Sequence, residues 1–421
     1  MVDETQQAQE LRQKIINKLL SFGYVYQSNG ELKPPESIDK SSIRVFHEDR
    51  HRHVLHSNKE WIIKNEEKIF DYFANGDDID ISSISPILVN VQDNRKYQDL
   101  FRYATYLWSI PVSQGYGRRM RYIVMDSSNS KLIGIIGLTD PVIGLKARDD
   151  WIGWSKDQKE DRLWHTLDAY VLGAVPPYNS LLGGKAVAAL ITSNEIREDF
   201  KKKYENKKAV ISGKIRKGHL VLVTTNTALG KSSMLSRLYY TLGGYNEKTD
   251  VKNRRELWHH VGWTSGYGHF HLNSGLADEM SDYLHEVGDP IIGKHRFGQG
   301  PQWKMRVIRN CLKRINLNGN NLLYHGIKRG FYGAPLTQNF KEYLCGETNE
   351  PDYYDQTAED ISTYIRDRYI ISRAKRVADQ WKDFDTETIR ISKMLNHKKE
   401  ANIFNFKSVT EDTFTKLTEK I

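Results

Sequence analysis

Apolar residues recur at helical spacing near the start of the chain. Leu11, Ile15, Leu19 and Leu20 share one stripe, which predicts an amphipathic helix over residues 5–22. Gly23 ends it, and the polar stretch 29–41, broken by Pro34-Pro35, reads as a loop. Helical patterns return over 61–73 and 97–107, on either side of a Gly76-Asp77-Asp78 turn. The period then changes. Residues 121–125 (RYIVM) and 131–138 (KLIGIIGL) flank a polar turn and predict a hairpin. Further strands are expected at 167–175, 220–224, 258–263 and 269–272, with helices at 186–204 and 232–242. The tail is mostly helical again, over 303–315 and 357–381, with Thr357 as a cap and Asp360 at its third position. The pattern implies an α+β protein. A sheet-containing core over 101–275 lies between a helical region, 1–100, and a basic, mainly helical region, 276–421.

Charge sharpens this picture. The chain has 421 residues and a formal net charge of +9, and the excess is concentrated. No acidic residue lies between Asp289 and Glu342, whereas Lys294, Arg296, Lys304, Arg306, Arg309, Lys313, Arg314, Lys328 and Arg329 do. Phe297, Trp303, Tyr324, Phe331 and Tyr332 are interleaved with them. Cations among aromatic faces suit a nucleic acid, since phosphates take the charge and bases stack. On the predicted helix 303–315, Ile308, Cys311, Leu312 and Ile315 share one face, while Arg306, Arg309 and Lys313 share another. The two cysteines, Cys311 and Cys345, supply neither a disulfide framework nor a cysteine zinc site, and a reducing cytoplasm is expected. No apolar run is long enough to span a bilayer, and the N-terminus has no apolar signal core.

Several short motifs suggest chemistry. Gly115-Tyr116-Gly117 with Arg118, Arg119 and Arg121 combines two flexible joints with three guanidiniums, the makings of an anion nest. Asp149 and Asp150 beside Trp151 and Trp154 are able to position a base or a metal, or simply to cap a turn beside Arg148. Gly230-Lys231-Ser232 has the ending of a phosphate loop, but Thr225 stands where that loop needs Gly; Ser232 and Ser233 read as helix caps. Gly183, Gly184 and Lys185 open a predicted helix after a strand, where free backbone N–H groups suit a pyrophosphate. His269 and His271 would face one way on a strand and could share a metal, with Asp140 or Asp168 completing the set. His47, His51, His53 and His56 read as a solvated basic turn.

Longer strings carry a resemblance. They are FRYATYLWSIPVSQGYGRRMRYIV (101–124), RDDWIGWS (148–155), AYVLGAVPPYNSLLGGK (169–185), VTTNTALGKSSMLSRL (223–238) and GWTSGYGHFHL (262–272). Together they closely resemble the DruA family, a domain of unknown function named for the Druantia anti-phage defence system. That resemblance implies a bacterial defence protein encoded beside a large helicase-like partner. The order of strands and helices over 121–272 also resembles the GNAT acetyltransferase fold, which implies a GNAT-like mixed central sheet. By that resemblance Gly183, Gly184 and Lys185 would hold a coenzyme and Tyr240 would serve as general acid. The leading expectation is a DNA-associated subunit of the defence system that works with a motor partner. The alternatives are a DNA-modifying or DNA-cleaving enzyme, with Tyr240, His269 and His271 as catalytic candidates, and a scaffold binding only proteins. Self-association is open to all three.

Overall fold

The computed structural model describes residues 4–35, 40–113, 115–208, 213–245, 254–264, 266–272, 275–293, 301–377 and 381–396. Its centre is a seven-stranded sheet: β1 (Pro86–Asn90), β2 (Arg119–Asp126), β3 (Lys131–Thr139), β4 (Thr166–Ala174), β5 (Leu222–Asn226), β6 (His259–Trp263) and β7 (Gly330–Pro335). The spatial order is β6-β7-β5-β4-β3-β2-β1. Neighbours are antiparallel except β4 and β5, which run parallel from the Thr166–Leu222 pair to the Asp168–Thr224 pair. The sheet is thus mixed, and the chain is α+β. The apolar runs of β2 and β3 form central strands because layers cover them on both sides, so nearly every residue is buried.

On one face lie α6 (Gly183–Leu190), α7 (Asn194–Tyr204) and α10 (Ala358–Ile365), whose Ala188, Ile196 and Ile361 pack with Val124, Ile136, Leu167 and Val223. The opposite face carries α3 (Lys59–Ile69) and α4 (Arg95–Thr105), where Ile62, Leu100 and Phe101 meet Ile123, Ile135 and Val171. Helix α5 (Lys146–Ile152) covers the β5–β7 end of that face; a Cβ at Gly333 would strike Trp151. Helix α10 begins as expected: Thr357 and Asp360 exchange hydrogen bonds in a capping box.

A separate apolar cluster joins the first helix to residues 272–323. Helix α1 (Glu4–Ser21) packs Leu11, Ile15 and Leu19 against α8 (Leu276–Glu286) and α9 (Pro301–Arg314). Lys14 pairs with Glu279 at 2.6 Å across that seam. Helix α2 (Lys40–Ser57) carries Ile43 into a small cluster with Ile327.

Several expectations are corrected. Residues 232–242 form turns and the short strand Tyr239–Tyr240. The turn is held because Lys185 Nζ donates to the carbonyls of Met234 and Ser236, and Ser232 N donates to the Tyr332 hydroxyl. Residues 269–272 hold a 3-10 turn, Phe270–Leu272. The single helix expected over 186–204 is two, parted where Thr192 and Ser193 bond back to Ala189 and Leu190. The long tail helix gives way to a π turn over Arg366–Ile370.

Candidate nucleic-acid interface

A groove of about 1020 Å³ opens where residues 33–35, 40–43, 229–231, 267 and 321–328 converge. Its floor and walls include Pro34, Pro35, Ile43, Leu229 and Ile327. Lys33, Lys40, Lys231 and Lys328 stand around it, all exposed, and among the described residues no carboxylate lines it. Four ammonium groups gathered at one groove make a positive field that favours a polyanion.

The groove is built on firm backbone. The segment 324–330 is clasped from both sides. His325 N donates to Gly266 O at 3.0 Å and Gly268 N to Leu323 O at 2.9 Å. Gly330 N donates to Gly230 O at 3.1 Å, and Thr227 N to Gly330 O at 2.9 Å. Behind it, Tyr24 stacks on His271 at 5.9 Å and His271 meets His325 edge-on at 5.8 Å. Ile327 N lies 3.1 Å from His325 Nδ1. Burial pulls the His271 pKa down to about 4, and those of His47 and His325 to about 3, so these rings are neutral at physiological pH.

The basic residues of the acid-free stretch divide into three groups. On α9, Arg306, Arg309 and Lys313 are exposed while Val307, Ile308, Cys311 and Leu312 are buried, so the two-faced helix is present. Arg314 is exposed and lies 3.5 Å from Asp289. Lys328 lines the groove, whereas Arg329 beside it is largely buried, which lowers its pKa, with Arg50 adding to the effect. Lys294, Arg296 and Phe297 lie outside the described residues. Of the interleaved aromatics, Tyr324 reaches the groove, while Phe331 and Tyr332 are buried in β7.

The Gly115–Arg119 motif holds an anion of its own. Asp140 accepts from Arg118 N at 2.9 Å and from Arg118 Nε at 2.7 Å. Gly117 has φ +67°, and an added Cβ would collide with the Asp140 carboxylate. The Arg118 guanidinium also donates to Trp164 O and Thr166 O and sits over the Trp164 ring at 4.1 Å. Arg118 is an internal fastener. Arg119 and Arg121, with Lys203, line a separate hollow of about 90 Å³ beside Asn90 and Gln92.

The coenzyme-like loop packs closely against neighbouring parts of the chain. Lys185 is buried, its pKa drawn down to about 8 by burial and by Arg237. A Cβ at Gly184 would lie 2.9 Å from Met234 Sδ, and one at Gly183 2.7 Å from Tyr178 O. These glycines admit neighbouring parts of the same chain. Tyr240 is buried against Tyr364 at 5.1 Å, and burial pushes its hydroxyl up to about 12. His269, drawn down to about 4 by burial and by Lys304 and Arg50, belongs with His271 to the turn near α9 and α2. Among the described residues no three His, Cys, Asp or Glu side chains form a metal-holding group. His47 and His51 are buried on helix α2, so they do not form a solvated turn. Arg148 is buried and bonded to Val142 O, Ile143 O and Asp149, while Asp149 also accepts from Trp154 and Lys159. Asp150 pairs with Lys146 on the surface.

Two features had weak sequence signals. Lys33, Lys40 and Lys231 lie far from the acid-free stretch in sequence and join it only through the fold. Asp168 accepts from Thr224 Oγ1 at 2.7 Å, and burial lifts its carboxyl to about 6 despite that bond and the nearby Arg148. Tyr116 stands close enough to feel both Asp168 and Asp140.

Residues 37–346 match the family described as Druantia protein DruA. A curated Druantia protein DruA from Escherichia coli (strain UMEA 4076-1) is 36% identical over 368 residues, which cover 87% of this chain and 88% of that protein. No solved structure matches the chain.

Proposed function

The chain belongs to the family of the Druantia protein DruA, and from that premise we propose that it is a DNA-associated subunit of an anti-phage defence system. It engages DNA through a basic surface made of the groove lysines and the outward face of α9, and a helicase-like partner supplies motor activity. The observation that carries this reading is the groove: four lysines and two tyrosines converge there from distant parts of the sequence, with no carboxylate among the described residues that line it. Phosphate neutralisation by such lysines supplies affinity without reading sequence. Fluorescence anisotropy with labelled DNA and the full chain tests it. Binding at low ionic strength, weakened when Lys33, Lys231 and Lys328 are changed together to Ala, is expected. No binding to single- or double-stranded DNA at low salt overturns it.

A second reading, a DNA-modifying or DNA-cleaving enzyme, is favoured by Asp168. A carboxyl poised near pH 6 beside Thr224 and Tyr116 has the properties of a general base. It sits where the parallel pair β4–β5 ends its shared register, the feature that supports a GNAT-like view of the sheet. Turnover of a DNA substrate that Asp168→Asn abolishes, with DNA affinity retained, would establish it. DNA left unaltered by the wild-type chain and its partners would dismiss it.

A further inference from the structure

The groove does more than collect positive charge. Tyr267 is 57% exposed, and its ring lies 5.1 Å from that of Tyr324 at an interplanar angle of 56°. Both are fixed by backbone: the two residues form an antiparallel bridge of their own, between the clasping bonds at Gly266 and Gly268. A ring carried on fixed backbone loses less conformational entropy when a flat partner stacks on it. Next to them Pro34, Pro35, Ile43 and Ile327 make an apolar floor, while the ammonium groups stand around it. At about 1020 Å³ the space lies at the upper end of the roughly 300–1,000 Å³ of small-ligand pockets.

Such a recess distinguishes two forms of DNA. A duplex keeps its bases stacked inside and turns phosphates outward, so a floor of prolines and isoleucines beside aromatic rings offers it little. A single strand is able to lay a base on an exposed ring while its phosphates meet the surrounding lysines. Resting on the DNA reading of the groove given above, we propose that its ligand is single-stranded DNA, with a base stacked on Tyr267 and Tyr324 forming the adjoining wall. The lysines then set salt dependence, and the tyrosines set the preference for unpaired bases.

The test compares one labelled oligonucleotide, its duplex and the RNA of the same sequence, each titrated with the full chain and with Tyr267→Ala, Tyr267→Phe and Tyr324→Ala. Loss of one stacked base corresponds to a weakening of about 5- to 150-fold. Tyr267→Ala should weaken single-strand binding within that range and leave duplex binding within about twofold. Tyr267→Phe, which keeps the ring, should bind the single strand like the wild type. The slope of affinity against salt should not change with Tyr267→Ala, since no phosphate contact is lost. Tighter binding of the duplex, or a Tyr267→Ala effect that is absent or equal on both forms, overturns the single-strand assignment but leaves a DNA-binding subunit standing. Equal or tighter binding of the RNA overturns the assignment to DNA. No binding of any DNA overturns the underlying functional reading instead.

Discussion

Replacing Arg118 by Ala separates two roles that its sequence context leaves open. As a phosphate contact, it would cost DNA affinity and little stability. In the structure its guanidinium is only 9% exposed, lies 2.7 Å from Asp140 and donates to two backbone carbonyls under the Trp164 ring. Breaking a buried ion pair from one side costs about 3–5 kcal/mol, because the remaining charge is left without its partner. Asp140 is 31% exposed and keeps some hydration, which places the expected loss nearer about 2–4 kcal/mol. Arg118→Lys should also lose stability, since one ammonium cannot reproduce the fork that reaches a carboxylate and two carbonyls. Urea unfolding of Arg118→Ala, Asp140→Asn and the double variant would measure this directly. A coupling energy of at least about 1 kcal/mol is expected between residues joined in one network. If Arg118→Ala unfolds like the wild type but loses DNA binding, the internal-fastener account is wrong and Arg118 belongs to the interface.

Asp168→Asn should stabilise the protein in a pH-dependent way. Its folded carboxyl, at about 6, lies above its ordinary value, so its favourable contribution is complete below about pH 4 and lost as pH rises through 6. The Asn variant should therefore gain up to about 3 kcal/mol over the wild type at pH 8 and little at pH 4; a gain that does not grow with pH in chemical melts would refute this. The neutral histidines behind the groove act oppositely: their folded pKa values are depressed, so their contribution holds above about 6.5 and fades as pH falls toward 4 and below. Thermal melts should accordingly show the wild type losing stability between pH 6.5 and 4.5. Gly183→Ala would put a methyl 2.7 Å from the backbone carbonyl oxygen of Tyr178 and should cost about 1–3 kcal/mol in unfolding experiments, whether or not any coenzyme is present. Changing Arg306, Arg309 and Lys313 together to Ala should leave the melting temperature nearly unchanged, because all three are exposed on α9.

Much of the fold could be read from apolar periodicity. The β2–β3 hairpin, strand β4, helix α9 and the Thr357 cap all follow from local pattern, since their neighbours in space only reinforce what their own residues favour. Strand β7 was not legible: GFYGAP has no alternation and ends in proline, and only burial between β6 and β5 makes it a strand. Residues 232–242 have helical composition, yet tertiary bonds from Lys185 and Tyr332 hold them as turns. The same limit applies to the interface. Charge counting finds Lys328 and the α9 cations, because these cluster along the chain. It also picks out Arg118, which the fold turns inward, and it cannot see that Lys33 and Lys231 join Lys328. Internal contacts explain the rest: Asp140 accepts from Arg118 N beside Gly117, Met234 lies against Gly184, and neither is predictable without long-range contacts.

The central claim is that the groove lysines contact DNA phosphates, and the salt dependence of binding tests it most directly. Affinity for a labelled single strand would be measured across a salt series for the wild type and for the Lys33, Lys231 and Lys328 triple Ala variant. Each lost phosphate contact lowers the slope of log affinity against log salt by about 0.7 on a single strand. A slope shallower by about 2 in the variant, with its fold intact by circular dichroism, is the predicted result. An unchanged slope, or no wild-type binding at low salt, would contradict the account.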